Sequence, residues 1–420
     1  MEKKINSGQL RLLAILLGCI IAVVVATDAL GQESSRSSFI YGTVKTVDNS
    51  YQGYMRWGGE EAFWFEYFNA AKEDNDYYRK IVEKKGDTRT SWYDIEDWSI
   101  ASIWDNKRSG VNKEFSCQFG EISKIDVRDP ERAIVHLKNG IEIEVNGSGY
   151  NDIGSSVELI DEEIGKLKIK WSRIREIVFE DGTNSDGITF GDVLYAKVQT
   201  ARKGTMTGYL QWDQDERVSE DMLDGDSRHG DVSIAFSKIA QIRKEGNGSV
   251  VTLKSGRDLF LTDSNDVNSE NRGIILFIDG TGEVEIPWRS FVSADFITPD
   301  QKLVAFGDYT APKGIQGIVY LHDNSSVTGK IIYDVDEVWE LETLEAKDDN
   351  ITYRIPFRNI KEIKPKNFDY SLVTLKSGES LLLGGRSDVS DANDGVLIFS
   401  QGDQEPRHIP WEKISEIIFN

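Results

Sequence analysis

Cysteine is nearly absent from this chain of 420 residues, which contains only Cys19 and Cys117. Cys19 lies in the apolar N-terminal segment. The rest of the chain therefore cannot form an internal disulfide and must be held together by its apolar cores. The aromatic neighbours Phe115 and Phe119 predict a buried strand position for Cys117.

Histidine and positive charge are also scarce. The four histidines are far apart and form no H-E-x-x-H motif or Cys/His cluster, and no P-loop, G-x-S-x-G or dinucleotide fingerprint occurs. We therefore expect a non-enzymatic protein without metal or cofactor, although residues distant in sequence can still assemble a catalytic triad. Lys and Arg number 49 against 71 Asp and Glu, giving a net charge of −22. Nucleic acids and anionic membranes are thus poor partners, because binding them requires positive charge that neutralises phosphates.

Long apolar runs are confined to the N-terminus. Basic residues before Leu12, the apolar run to Ala26 and the small-residue site at Ala29-Leu30-Gly31 are typical of a signal peptide spanning residues 1–31. This predicts an exported protein, periplasmic, outer-surface or extracellular, from a bacterium. The run of about 15 residues is shorter than the roughly 20 that span a bilayer, so membrane attachment through an uncleaved anchor is the alternative.

What the chain does contain is a repeat. The pattern V-x-L-K-x-G-x-x-[IL]-x-[VL] begins at Val135, Val251 and Val373, and a tryptophan opening W-x-x-[IF]-x-x-[IA]-x-F follows each copy, at Trp171, Trp288 and Trp411. A front half precedes each copy. It has a G-x-x-x-aromatic strand and ends in F-x-x-I-x-x-I, starting at Phe119, Phe236 and Phe357. A fixed period indicates one structural unit used three times. We predict three repeats of two half-modules each, at 38–180, 191–297 and 315–420.

The half-modules read as small all-β units. Their apolar residues alternate on either side of Lys-x-Gly, which is typical of hairpins, and the aromatic tail fits a single 3-10 turn before a closing strand. The segment from Val373 through Gly378 to Asn393 resembles the first motif of Sm-like barrels, and Phe357–Ile363 is similar to the turn and last strand of the SH3-like and Sm-like group. The resemblance implies tandem five-stranded β-barrels. Sm-like barrels form rings that bind RNA. Here the basic RNA-reading residues are missing, so only the fold is carried over, with assembly through barrel edges as one hypothesis.

The first repeat departs from the common pattern. From Gly53 to Phe119 the chain advances 66 residues, whereas the equivalent steps in the other repeats take 28, so 38 extra residues lie within 58–115. The stretch Glu60–Lys84 is compatible with a helix, and Trp92, Trp98 and Trp104 follow among acidic residues. We predict a partly helical insertion whose tryptophans form a binding surface, since additions to one repeat are where arrays place binding elements.

Acidic pairs recur three and four residues after the front-half aromatic. They are Glu60/Glu61 after Trp57, Asp215/Glu216 after Trp212, and Asp336/Glu337 after Tyr333. Beside an aromatic ring such pairs could bind calcium or the hydroxyls of a sugar, and the alternative is a solvated hairpin end. Asp/Asn-rich loops also recur, at Asn151-Asp152, 263–271 and 388–394, and these are typical of Asx turns.

Together these features predict an interaction or scaffold module of the cell envelope, whose partner is a protein or an envelope glycan. The alternative function is a secreted carbohydrate-binding or carbohydrate-processing protein, with or without a dependence on calcium.

Overall fold

The computed structural model describes residues 38–75, 108–182, 190–300, 303–400 and 406–420. Within these ranges the chain is all-β, because strands and short 3-10 turns are the regular elements, as predicted. No helix in the described part is long and apolar enough to cross a membrane. The predicted signal peptide and the residues Trp92, Trp98 and Trp104 lie outside the described ranges.

Ten strands form the first array. They are Tyr41–Thr46 (β1), Ser50–Trp57 (β2), Tyr67–Asn75 (β3), Arg108–Gln118 (β4), Ile122–Asp129 (β5), Arg132–Leu137 (β6), Glu142–Asn146 (β7), Val157–Asp161 (β8), Gly165–Ile169 (β9) and Ile174–Phe179 (β10). All pairings are antiparallel, and the spatial order is β4-β3-β7-β6-β5-β10-β1-β2-β8-β9.

The second array has ten strands in the corresponding order. They are Tyr195–Thr200 (β11), Thr205–Gln211 (β12), Met222–Ser227 (β13), Gly230–Ala235 (β14), Ile239–Glu245 (β15), Gly248–Leu253 (β16), Asp258–Leu261 (β17), Ile274–Ile278 (β18), Gly282–Ile286 (β19) and Phe291–Phe296 (β20). Pairing runs β17-β16-β15-β20-β11-β12-β18-β19. The β13–β14 hairpin is bridged by Asp226 to Thr262, the residue that follows β17.

The third array repeats the order again. Its strands are Gln316–Leu321 (β21), Ser326–Tyr333 (β22), Thr343–Asp348 (β23), Ile351–Pro356 (β24), Ile360–Pro365 (β25), Tyr370–Leu375 (β26), Ser380–Gly384 (β27), Val396–Phe399 (β28), Arg407–Ile409 (β29) and Ile414–Phe419 (β30). Pairing runs β24-β23-β27-β26-β25-β30-β21-β22-β28-β29.

Each array has an internal pseudo-twofold symmetry. The strands of the first array correspond in pairs that are five apart in chain order, such as β1 with β6 and β5 with β10. Corresponding strands lie at equal distances from the centre of the spatial order, which falls between β5 and β10. The hairpin β3–β4 of the front half therefore pairs with β7 of the back half, and the hairpin β8–β9 pairs with β2 of the front half. Within the described residues no array closes into a barrel, so the predicted closed small barrels are not confirmed.

The second and third arrays are joined edge to edge. Strand β19 pairs with β24 through Glu283–Arg354, Val284–Tyr353 and Glu285–Thr352. Their buried side chains form one apolar cluster, whereas the cluster of the first array includes Val218 and Phe277 of the second and Trp339 of the third. The three arrays thus share buried surface.

The predicted aromatic tails are largely as expected. Five of the six predicted tails are 3-10 turns: Phe119–Glu121, Trp171–Arg173, Phe236–Lys238, Phe357–Asn359 and Trp411–Lys413. The described ranges also contain the 3-10 turns Phe306–Asp308 and Ser387–Val389, which are not part of these tails. At Trp288 the chain makes hydrogen-bonded turns instead, with Ser290 and Phe291 donating to Pro287. The repeated tryptophans are buried, as are Cys117, Leu137 and Leu375, while Leu253 is half-buried.

Two glycine positions explain much of the repeated pattern. The Lys-x-Gly glycine has a positive φ in every copy, 84° at Gly140, 83° at Gly256 and 95° at Gly378, as a tight hairpin turn requires. The glycine of G-x-x-x-aromatic lies against the neighbouring strand. A Cβ placed at Gly53 would overlap the carbonyl of Ile160, and the same overlap occurs at Gly208 with Phe277 and at Gly329 with Phe399.

The helical prediction for the insertion is wrong in the part that can be compared. Tyr67–Asn75 is strand β3, paired with β4 from Tyr67 opposite Gln118 to Lys72 opposite Lys113. In the second array the equivalent hairpin runs from Met222 opposite Ala235 to Ser227 opposite Gly230. In the chain, the extra residues therefore lie between Lys72 and Lys113.

Candidate functional site

The three acidic pairs lie in equivalent tight turns. Each turn follows the front-half aromatic and is closed by a bridge between that aromatic and the second acid: Trp57–Glu61, Trp212–Glu216 and Tyr333–Glu337. The first two of the three intervening residues have positive φ in every copy: Gly58 and Gly59, Asp213 and Gln214, Asp334 and Val335. Non-glycine residues are strained in this region, so the turn must be held by its surroundings.

The two acids of a pair have different environments. The second acid, which is Glu61, Glu216 or Glu337, carries a buried Oε2 with no hydrogen-bond partner in all three copies. Burial raises the pKa of each of these carboxyls, and neighbouring carboxylates, chiefly Asp152, Asp266 and Asp336, raise it further. For Glu216 the pKa rises to about 9. These acids are therefore not solvated hairpin ends.

A buried aspartate accompanies each turn, and the sequence signal for it was the Asp/Asn-rich loop. Its carboxylate accepts a backbone N–H of the first strand of the neighbouring hairpin: Asp152 from Asn69 at 2.6 Å, Asp266 from Asp224 at 2.7 Å, and Asp388 from Glu345 at 2.6 Å. Its carbonyl accepts the polar hydrogen of the front-half aromatic, Trp57 and Trp212 through Nε1 and Tyr333 through its hydroxyl. This arrangement predicts a structural role, as for an Asx turn.

The aromatic rings cannot serve as sugar platforms. Trp57, Trp212 and Tyr333 each have 0% exposure, and each packs edge-on against the tryptophan of the back half. The stacking surface predicted for Trp57 and Trp212 is therefore inaccessible.

A third acid, nine residues after the aromatic, was missed although its spacing is constant. Glu66, Asp221 and Glu342 each use one carboxylate oxygen to accept two consecutive backbone N–H groups of the turn. Buried carboxylates that accept such bonds fix the backbone around them. The recurrence of an acidic residue nine positions after the aromatic could have indicated this site. Because the chain contains 71 Asp and Glu residues, this recurrence does not stand out.

The other oxygen of this third acid binds a cation from a different array. Arg217 Nη1 lies 2.9 Å from Glu66 Oε1, Arg56 Nη1 lies 2.6 Å from Asp221 Oδ1, and Lys72 Nζ lies 2.5 Å from Glu342 Oε1. Arg217 and Lys72 are almost completely buried, at 1% and 2% exposure. These ion pairs connect the first array to the second and to the third.

A polar cavity of about 610 Å³ opens where the three arrays meet. The acidic turn of the first array and Tyr67 form one part of its wall. Gln211 and Gln214 of the second array and Arg354 of the third array also line it. The equivalent turns of the second and third arrays contribute Gln214 but neither Glu216 nor Glu337 to this wall.

No group of three or more His, Cys, Asp or Glu side chains in the described ranges has an arrangement that could hold a metal ion. No family model matches the chain, and no curated protein or solved structure shows significant similarity to it.

Proposed function

We propose that the chain is an exported, non-enzymatic β-repeat protein that serves as an interaction or scaffold module of the cell envelope. The observation that supports this most directly is the threefold recurrence of the buried acids. In every array they accept backbone amides and, at Glu66, Asp221 and Glu342, pair with cations of another array. A catalytic constellation needs to be assembled only once, whereas groups that recur in every copy are expected to hold a repeated architecture.

We also propose that the arrays, within 38–180, 191–297 and 315–420, are built from six half-modules of the SH3-like and Sm-like kind. A barrel made from one half alone would pair β3 with β2 of the same half. The observed pairing of β3 with β7 and of β2 with β8 is what an exchange of hairpins between two such halves would produce. This exchange accounts for a small-barrel sequence pattern in arrays that do not close.

The proposed contact surface is the extra segment of the first array, which contains Trp92, Trp98 and Trp104. It distinguishes the sequence of the first repeat from the other two, and in the chain it connects the two sides of a hairpin that all three arrays share. Aromatic residues among acids suit recognition of a protein partner or an envelope glycan.

The test is to shorten the hairpin to the length found in the second array. Replacing residues 73–112 by Arg-His, the connection between Ser227 and Gly230, should leave the arrays folded and abolish capture of partners from extracts of the source organism. A wider deletion of 60–112 is the control, since it also removes the buried Trp64, Phe65 and Phe68 and should unfold the first array. Equal partner capture by the intact and shortened proteins would place the contact surface elsewhere.

Carbohydrate binding is the second candidate function, and the polar cavity between the arrays is the observation that favours it. The cavity combines carboxyl, amide and aromatic groups, which together suit hydroxyl-rich ligands.

A further inference from the structure

Side chains of all three arrays converge on the polar cavity. Its volume of about 610 Å³ falls within the roughly 300–1,000 Å³ typical of small-ligand sites. Asn69, Asn151, Gln211 and Gln214 supply amide groups, and Ile275 and Phe277 supply an apolar surface.

Most of the charge in the wall is already compensated. Glu66 pairs with Arg217 at 2.9 Å, Glu283 pairs with Arg354, and Arg272 lies 3.4 Å from Asp213. Because these charges have partners, they offer little net attraction to a strongly charged ligand. An anion would have to compete with carboxylates for the two arginines, at a cost in desolvation and lost pairing.

Two polar groups in the wall lack partners. The hydroxyl of Tyr67 and Oε2 of Glu61 are buried without a hydrogen bond, and their residues are 2% and 9% exposed. Leaving a buried polar group without a hydrogen bond costs free energy, so a native structure that keeps two of them in the lining of one cavity calls for an explanation. Both residues belong to the lining of this cavity.

We propose that this cavity binds a neutral, hydroxyl-rich ligand of one or two sugar rings. Glu61, Tyr67 and the amides would bond the ligand hydroxyls, and Ile275 and Phe277 would contact its C–H face. The proposal deepens the second candidate function and rests on it. It locates binding at the turn of the first array alone, although the three turns share their acids.

Calorimetric titration of the purified full chain with glucose, N-acetylglucosamine and cellobiose tests this, with putrescine and citrate as cationic and anionic comparators. Two pairs of variants separate the cavity from the repeated turns. Glu61→Gln and Asn151→Ala alter the wall, whereas Glu337→Gln and Asn265→Ala make the same changes at equivalent places outside it. We expect saturable binding of at least one sugar, weakened tenfold or more by each wall variant and less than twofold by its counterpart.

The outcomes are distinguishable. Sugar binding that all four variants leave unchanged would retain carbohydrate binding and overturn the assignment to this cavity. Binding of putrescine or citrate in preference to the sugars would overturn the ligand class, and absence of binding by all five compounds in the folded wild-type chain would overturn both. Circular dichroism of each variant identifies any that fails to fold, and Tyr67→Phe, which keeps the ring, then replaces a wall variant that fails.

Discussion

Replacing Lys72 by methionine should be among the most damaging single changes at the contact between the first and third arrays. Lys72 Nζ lies 2.5 Å from Glu342 Oε1 and 3.3 Å from Asp336 Oδ1, and the side chain is 2% exposed. At an effective dielectric constant of about 20, two such contacts correspond to a gross attraction of about 5–7 kcal/mol each, most of which offsets desolvation. Removing one member of a buried ion pair costs about 3–5 kcal/mol, because the remaining charges are left uncompensated.

The measurement is the free energy of unfolding from urea denaturation at pH 7.5. Burial acts to lower the pKa of Lys72, but the carboxylates of Asp336 and Glu342 outweigh it and raise the pKa above its usual range. The folded-state pKa therefore exceeds the unfolded one. The stabilisation is complete below the unfolded pKa and is lost only as pH rises through the folded pKa, so pH 7.5 reports all of it.

Two further variants make this prediction specific. Lys72→Met combined with Glu342→Gln should be less destabilised than Lys72→Met alone, because the glutamine carbonyl can still accept the amides of Val338 and Trp339 without leaving a charge. Arg132→Ala is the control. It breaks an ion pair whose arginine side chain is 54% exposed and should cost about 0–1 kcal/mol. A loss for Lys72→Met no larger than this control would refute the reasoning.

Three other predictions follow from the structure. Trp288→Ala should lower the free energy of unfolding by about 3–5 kcal/mol, since Trp288 is 7% exposed and its ring stacks on Phe291. Phe368→Ala, at a site that is 76% exposed, should leave the stability almost unchanged, and similar melting temperatures of the two variants would contradict the assignment of Trp288 to the core. Stability should fall as pH rises from 5 to 9, because burial and Asp266 raise the pKa of Glu216 to about 9 and the folded state keeps a proton that the unfolded state has lost. Glu216→Gln should reduce the slope of stability against pH, and an unchanged slope would show that Glu216 does not hold this proton. Millimolar calcium should shift the melting temperature no more than an ionic-strength control, because carboxylates such as Asp152 and Glu66 already accept backbone amides; a rise of many degrees would show that calcium binds the folded state.

Local features of the fold could be predicted from the sequence because they depend on neighbouring residues. The hairpin glycines such as Gly378 and the 3-10 turns such as the one at Trp411 follow from turn chemistry and short spacing. The pairing of half-modules could not be predicted in this way. Whether β3 pairs with β2 or with β7 depends on contacts between segments that are distant in the chain. Both pairings need the same alternation of apolar and polar residues along the strands.

The false helical signal in the first repeat has a physical cause. Strand β3 buries residues on both faces, with Tyr67, Phe68, Ala70 and Ala71 all at 2% exposure or less, because it lies between its own array and the neighbouring ones. A strand buried on both sides loses the alternation that identifies strands, and its apolar residues then match a helical stripe equally well.

Only some of the acids at the candidate site could be predicted from the sequence, because the contacts of the others involve residues far away in the chain. The pairs at Glu60/Glu61 and their equivalents were visible as a recurrence, but the cations that pair with the neighbouring Glu66, Asp221 and Glu342 lie between 151 and 270 residues away in the chain. The polar cavity, formed where three arrays meet, has no counterpart in any local sequence pattern.

The exchange of hairpins also determines where the chain can be divided. A cut in the turn between β5 and β6 would give two fragments, each with one hairpin whose pairing edge belongs to the other fragment. Exposed strand edges of this kind recruit other chains, so such fragments should associate with each other or aggregate rather than fold as monomers. A cut in the connector between β10 and β11 divides no exchanged pair. In proteins of this architecture, duplication or deletion during evolution should therefore involve whole arrays. An array of two half-modules should be the smallest unit that is duplicated or deleted.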